Sequence, residues 1–440
     1  MKKFTVLLIA MLLFTLTACE SAVGNQTEGA ITQAPVPEMK QDDFVPVMRF
    51  IATSDTHIQT LGDTGCKRIS AMLKTAYAIS DADEDYKKLD AVVFSGDITD
   101  NGKKESFYAF ATTTDNELRE GTERLAVVAK AHDSYKYSHK SLDIFTEITG
   151  QEPDFHRVIG GFHFIGVSRS NTRKHYTEEQ IKWLDENIAA AVDDDPQKPV
   201  FVFQHEHVRD TVYGSSKTDG WGLDVFTEVL TKYPQVVHIS GHSHFPANDP
   251  RAVWQGEFTA INDGGLSYFE LAVDGKNGQY PEEKERMTQA LIIEVDADNR
   301  VLVKVLDVDA GKIMREFLID NISEENKTKY SFETRKEKSS VPVFPEGSTL
   351  SYKKDGLKHY ITVPQANVSE DNEVFVYRIS VLNEKGKTIH EDWVFSDYFF
   401  ADKPESITFD GFITLSKNFT VKVSAEDVWG NKSESLEIKL

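Results

Sequence analysis

Cysteine is nearly missing from this 440-residue chain: there are two, Cys19 and Cys66. Cys19 falls ahead of the folded part, which leaves Cys66 as the one thiol of the fold. A disulfide framework and a cysteine-based zinc site are therefore both excluded. Positive charge is also scarce. Lys and Arg number 49 against 71 Asp and Glu, a formal charge of −22. That balance argues against a nucleic-acid coat or a patch for anionic membranes, and fits a solvated acidic surface. The apolar run from Phe4 to Leu16 falls short of the roughly 20 residues a membrane-spanning helix needs. What is present is ordinary for a soluble protein, 40% hydrophobic and 27% charged residues, in a chain long enough for two domains.

Lys2 and Lys3 before the apolar run, and small residues after it, make residues 1–18 a secretory signal. Leu16-Thr17-Ala18-Cys19 resembles the lipobox of bacterial lipoproteins, which implies a lipid on Cys19 and a cell-membrane anchor on the extracytoplasmic face. Residues 19–47 then read as the lipidated Cys and a flexible tether, rich in Gly, Gln, Thr, Pro and Ala.

The folded part is organised around Met48-Arg49-Phe50-Ile51-Ala52-Thr53-Ser54-Asp55-Thr56-His57. This is a short buried strand that ends in two metal-ligand types one residue apart, at the strand end where open sheets collect their chemistry. The pattern recurs. Leu89–Phe94 runs into Ser95-Gly96-Asp97-Ile98-Thr99-Asp100-Asn101, and Leu125–Ala129 into Lys130-Ala131-His132-Asp133. Pro199–Phe203 ends in Gln204-His205-Glu206-His207, and Val236–Ile239 in Ser240-Gly241-His242-Ser243-His244. Helical spacing is found at Arg68–Ala82, Tyr176–Val192 and Leu223–Tyr233, with a hairpin-like pair around Gly160-Gly161. Beyond residue 290 the pattern changes to alternating strands at 291–295, 300–308 and 313–319. One Asp-x-His after a strand is common by chance; five strand ends in series delivering His or Asp to one edge are not explained by core packing.

The series Asp55-x-His57, Gly96-Asp97-x-x-Asp100, His132-Asp133, His205 and Gly241-His242-x-His244 resembles the calcineurin-like metallophosphoesterases. The branch it looks most like is that of bacterial cyclic-nucleotide phosphodiesterase-like enzymes. The resemblance implies an αββα sandwich of two mixed sheets over residues 48–320, an α+β or α/β fold. It also implies two divalent ions, with Asp55, His57 and His244 on one, His205 and His242 on the other, and Asp97 bridging. Imidazole and carboxylate ligands suit Mn, Fe, Zn or Co. A bridging hydroxide would attack the phosphate ester, with His132 as general acid or electrophile and Asp133 orienting it. Asp100 fits a turn or outer-layer role.

The third strand end departs from the family pattern, whose Gly-Asn-His-Asp/Glu supplies an Asn ligand to the second ion. Here Ala131 cannot ligate. Asn101, Glu206 and His207 are the candidate substitutes, and a phospho-ligand binding module with little turnover is the alternative to an enzyme. Arg209, Tyr213 and Trp221, within the stretch reaching Asp219-Gly220-Trp221-Gly222, are candidates for a wall that holds a small-molecule or polymer phosphate ester. His139, His156, His163, His175 and His238 fall outside the strand-end pattern and read as surface or packed histidines. Residues 321–341 are polar and read as a linker. Residues 342–440, with strands at 357–363, 374–382, 393–400, 406–415 and 419–425, fit a small all-β sandwich. Val-x-Ala-x-Asp-x-Trp-Gly-Asn near its end resembles fibronectin type III-like modules.

Overall fold

A computed structural model describes residues 44–134, 140–170, 174–217, 221–414 and 417–440. The signal, Cys19, His139, Asp219 and Gly220 lie outside the described residues. The first elements are β1 (Pro46–Thr53), α1 (Thr64–Ala82), β2 (Ala91–Phe94), α2 (Lys104–Glu117), β3 (Glu123–Ala126) and α3 (Ser141–Thr149). They are followed by β4 (Phe155–Ile159), β5 (Phe162–Gly166), α4 (Glu178–Asp194), β6 (Val200–Phe203), α5 (Thr227–Leu230) and β7 (Val236–Ser240). Next come β8 (Val253–Gln255), β9 (Thr259–Asn262), β10 (Leu271–Val273), β11 (Lys276–Gln279), β12 (Gln289–Asp296), β13 (Val301–Asp307) and β14 (Lys312–Ile319). The last are α6 (Phe332–Lys338), β15 (Ser351–Asp355), β16 (Lys358–Pro364), β17 (Val374–Asn383), β18 (Thr388–Phe395), β19 (Ser406–Phe412), β20 (Phe419–Asp427) and β21 (Leu436–Lys439).

Two six-stranded mixed sheets carry the first domain, in the orders β14-β13-β12-β1-β2-β3 and β4-β5-β6-β7-β9-β8. Their facing sides share one apolar core. Phe50 of β1 meets Phe164 and Phe201 edge-on at 4.9 and 4.8 Å between centroids, a favoured aromatic geometry. Helices α1 to α3 cover the outer face of the first sheet and α4 with α5 that of the second, completing the expected αββα sandwich. Asp63 starts α1 by accepting from the Cys66 amide at 3.1 Å, and Thr177 with Gln180 closes a capping box on α4. Strands β1, β2 and β3 run parallel to one another, as do β5, β6 and β7. Their carboxyl ends therefore open on one edge of the sandwich.

Residues 342–440 form two antiparallel sheets, β15-β16-β19 and β18-β17-β20-β21, packed face to face around Ile361, Phe409, Tyr377 and Val421. The stretch expected as a linker is built into the structure. It contains α6, and buried Arg335 of that helix donates to the Val253 carbonyl at 3.0 Å and pairs with Asp371. The helix expected over Leu223–Tyr233 shrinks to the single turn of α5. The strand expected over 393–400 ends at Phe395, where the chain turns inward to bury Tyr398 and Phe399.

Candidate metal centre

Sequence places ligands at strand ends; backbone conformation then aims them. Asp55 (φ 51°), His57 (46°), Asp97 (46°), His242 (70°) and His244 (56°) all have left-handed backbones. That region disfavours residues bearing a Cβ, and its use marks turns held by surrounding bonds. The holding bonds are visible. The Asp55 amide donates to the Gly96 carbonyl at 3.0 Å, the His57 amide to Asp97 at 3.1 Å, and Gly241 to His205 at 3.0 Å. Two glycines permit the approach. A Cβ on Gly96 would lie 2.7 Å from His205 Nδ1, and one on Gly241 would lie 2.6 Å from Asp55 Oδ2.

The donors converge in two main sets. Asp55, His57 and His244 form one, and Asp97, His205 and His242 the other, with His57, Asp97 and His132 linking them; in each set the ligand atoms lie within 4.8 Å of one another. Asp55 Oδ1 is 3.2 Å from His244 Nε2, and Asp97 Oδ2 is 3.2 Å from His205 Nε2. His242 Nδ1 lies 3.1 Å from His205 Nε2, and its backbone amide donates to Asp55 Oδ2 at 3.0 Å, tying the two sets together. Outer bonds fix the rings. His205 donates from Nδ1 to the Ser95 carbonyl and His244 from Nδ1 to the Tyr268 carbonyl, both at 3.0 Å. Each thus keeps Nε2 for an ion.

The site fits cations. Asp55 Oδ1 and Asp97 Oδ1 are buried without a hydrogen-bond partner. An ion would satisfy them. Burial raises the Asp55 carboxyl, but His244 and His57 outweigh it and hold the group well below its usual range. Burial lowers His57, yet Asp100 and Asp55 overcome it and bring the imidazole to about 10. Burial, then neighbouring His205, push His242 down to about 4. Without metal, protons on some histidines balance the carboxylates; metal takes the place of those protons.

Other expected residues are placed differently. His132, 42% exposed, points its Nδ1 at the Asp100 carbonyl at 3.2 Å and lies edge-on to His57 at 4.4 Å. Asp133 does not orient it. The Asp133 carboxylate is buried and accepts the amides of Thr99 (2.7 Å), Ala129 (2.9 Å) and Ile98 (3.3 Å), so its job is to clamp two loops. Asp100, with Oδ1 3.6 Å from His132 Nδ1 and 3.8 Å from His57 Nδ1, is the carboxylate beside both rings. None of the three substitute ligands turns to the centre. Asn101 caps Lys103 and Ser106, Glu206 accepts from His175 and Tyr176, and His207 lies between the hydroxyls of Ser240 and Ser243 at 2.8 Å each. Ala131 itself is exposed.

Of the wall candidates, Trp221 is at the site, its ring 5.1 Å from His242 in an edge-on pose. Arg209 instead pairs with Asp224 at 2.8 Å. Tyr213 is buried away from the centre, its hydroxyl donating to the Ala272 carbonyl at 2.7 Å. Both corrections have one cause: nearer partners satisfy these polar groups. Sequence reasoning missed Tyr268, which stacks on His244 at 4.1 Å with 17° between planes. It lies in a loop with no strand to announce it. His156 and His163 bond one another at 2.7 Å and His238 is buried in β7, so these three are packed histidines, while His175 is taken by Glu206.

The family profile described as Calcineurin-like phosphoesterase matches residues 48–246. A protein named "Probable glycerophosphodiester phosphodiesterase GpdQ" from Arcobacter nitrofigilis is 27% identical over 209 residues, which are 45% of this chain and 72% of that protein. Among solved structures, a purple acid phosphatase from yellow lupin (Lupinus luteus) aligns with a TM-score of 0.44 and 14% identity. That alignment covers 62% of this chain and 53% of the other, about half its length.

Proposed function

We propose, from the premise that residues 48–246 are a calcineurin-like phosphoesterase domain and the chain a metal-dependent phosphoester hydrolase, that its substrates are phosphodiesters and its centre dinuclear. Cyclic nucleotides and other small diesters come first; phosphomonoesters of nucleotides or cell-surface polymers come next. The observation that carries the reading is the convergence of two ligand sets joined through Asp55 and His242. Asp55, His57 and His244 would hold one ion, His205 and His242 the other, and Asp97 both. Bound there, such ions lower the pKa of water and neutralise phosphoryl charge. His132 stands beside the centre, exposed enough to meet a leaving-group oxygen and hand it a proton, with Asp100 fixing its ring. Tyr268 and Trp221 flank the two sets and bound the substrate's space. The diester preference has its support in the Arcobacter relative's name.

The test uses residues 45–440 with Mn²⁺ and bis(p-nitrophenyl) phosphate. Turnover is expected, and Asp97→Ala, which removes the buried carboxylate common to the second set and the linking group, should abolish it. Undiminished turnover in Asp97→Ala overturns the dinuclear assignment. Ala131, with all three substitute residues engaged elsewhere, favours the second reading of a phospho-ligand binder. That reading prevails if the chain takes up metal but cleaves neither diesters nor monoesters.

Location is part of the same proposal. The charged start, apolar run and Cys19 support an enzyme anchored on the outer face of the cell membrane and working on extracytoplasmic phosphate esters. Cys19→Ser should move the protein from the membrane fraction to the medium. An unchanged distribution rules out the lipid anchor.

A further inference from the structure

The corner of the site where Ala131 stands holds a buried cation. Arg169 follows β5, and its backbone amide donates to the Val128 carbonyl at 2.8 Å, stitching this loop to the one that ends in His132. The residue is 3% exposed. Its Nε and Nη1 are nevertheless buried with no hydrogen-bond partner among the described residues.

Two carboxylates lie close enough to act on the guanidinium, Asp133 and Glu206, the residues that follow His132 and His205. Neither pairs with it. Asp133 is spent on the amides of residues 98, 99 and 129, and Glu206 on His175 and Tyr176. Lys130 lies on the same side; burial and then the Arg169 charge push its ammonium down. A buried guanidinium with idle donors costs folding free energy unless a ligand supplies acceptors. Its planar fork matches the oxygens of a phosphate better than any other side chain does. A second idle donor lies beside His242: the Trp221 indole Nε1, also buried without a partner among the described residues.

We infer that Arg169 is the phosphate-binding residue of this site, engaging the non-bridging oxygens of the bound ester or of released phosphate beside the position that Ala131 leaves without a ligand. The inference rests on the reading of the site as a phosphoesterase centre. It changes how the missing Asn ligand matters. Arg169 cannot ligate a metal, but it supplies a fixed positive charge where the second ion has one ligand fewer. Phosphate binding should then depend on Arg169 as well as on metal.

Isothermal titration of the Mn²⁺-loaded full chain with inorganic phosphate tests this directly and needs no turnover. Arg169→Gln should weaken phosphate binding at least tenfold, with bound manganese per chain unchanged by elemental analysis. Arg169→Lys should restore part of the loss, because charge returns without the fork. The melting temperature of Arg169→Gln should hold or rise, since a buried charge without a partner is removed. Unchanged phosphate affinity in Arg169→Gln overturns the inference. So does a loss that comes with a lower melting temperature and lost manganese, which would make Arg169 a scaffold residue. The two readings separate cleanly. Arg169-dependent phosphate binding without ester hydrolysis removes the proposed activity alone, and hydrolysis with full phosphate affinity in Arg169→Gln removes this inference alone.

Discussion

His57 stands near two carboxylates, Asp55 at 3.7 Å and Asp100 at 3.8 Å. Burial opposes its proton, but the carboxylates win and raise it to about 10. A histidine raised in the folded state lends stability that is fully present below its unfolded pKa near 6.5 and is lost as pH rises through about 10. That stability belongs to the metal-free protein. Metal must displace the proton, so manganese should bind more tightly as pH rises from 6 to 9, by up to about tenfold per pH unit for each proton displaced. Titration of metal-stripped protein at several pH values measures this, and pH-independent affinity would show His57 to be neutral before metal arrives. His132 and Asp133, adjacent in sequence, should separate in the same set of variants. His132→Ala should cut turnover by about 10²–10⁴ with little change in melting temperature. Asp133→Ala orphans buried amides at about 1–3 kcal/mol each, and should lower the melting temperature of the metal-free protein as well. Equal effects of the two on stability would contradict the division of labour drawn from their bonds.

At the scale of elements, what was legible in sequence was what burial makes periodic. Strands β1, β2, β6 and β7 are mostly apolar, almost wholly buried and end in chemistry, so continuous runs such as Val200–Phe203 announced them within a residue or two. Helix α2 left no such trace. Its buried face is built from Ser106, Thr113 and Thr114 as well as Phe107 and Phe110, and Thr114 satisfies its hydroxyl on the Phe110 carbonyl at 3.0 Å. Small hydroxyl residues that bond their own helix pack like apolar ones but do not read as such. The same limit applied to the site. Ligand identity could be read at strand ends because strand, turn and side chain follow one another in the chain. Thr99 for Asp133, Asp224 for Arg209 and Ala272 for Tyr213 come from elsewhere in the chain, where only three-dimensional proximity decides which polar group is nearest.

For the whole molecule, the decisive contact is the seam between the two domains. Phe245, Phe269, Leu271 and Met287 of the first domain share one core with Phe375, Phe395, Tyr398 and Trp429 of the second. Polar bonds pin the seam: Tyr398 donates to Asp249 at 2.7 Å, Asn248 to the Tyr398 carbonyl at 2.9 Å, and Arg378 to Asp274 at 2.7 and 2.8 Å. Uncovering a large apolar side chain costs roughly 1.5–3 kcal/mol, and stopping the chain at residue 320 would uncover several together. Such a fragment should aggregate or melt far below the full protein, and residues 45–440 should unfold in one calorimetric transition. Two well-separated transitions would show that the C-terminal sandwich is a passenger instead of a wall of the first domain.

The left-handed turns under five of the candidate ligands carry a last consequence. Backbone bonds between neighbouring loops hold Asp55, His57 and Asp97 in place. A socket tied by such bonds should let an ion leave and be exchanged for another without any part of the chain refolding. Binding strength for first-row ions rises along a fixed chemical order, and a rigid histidine–carboxylate socket does little to invert it. Which element is found in the purified protein should therefore report the supply in its surroundings, and growth on manganese, iron or zinc should yield the same fold charged with different ions.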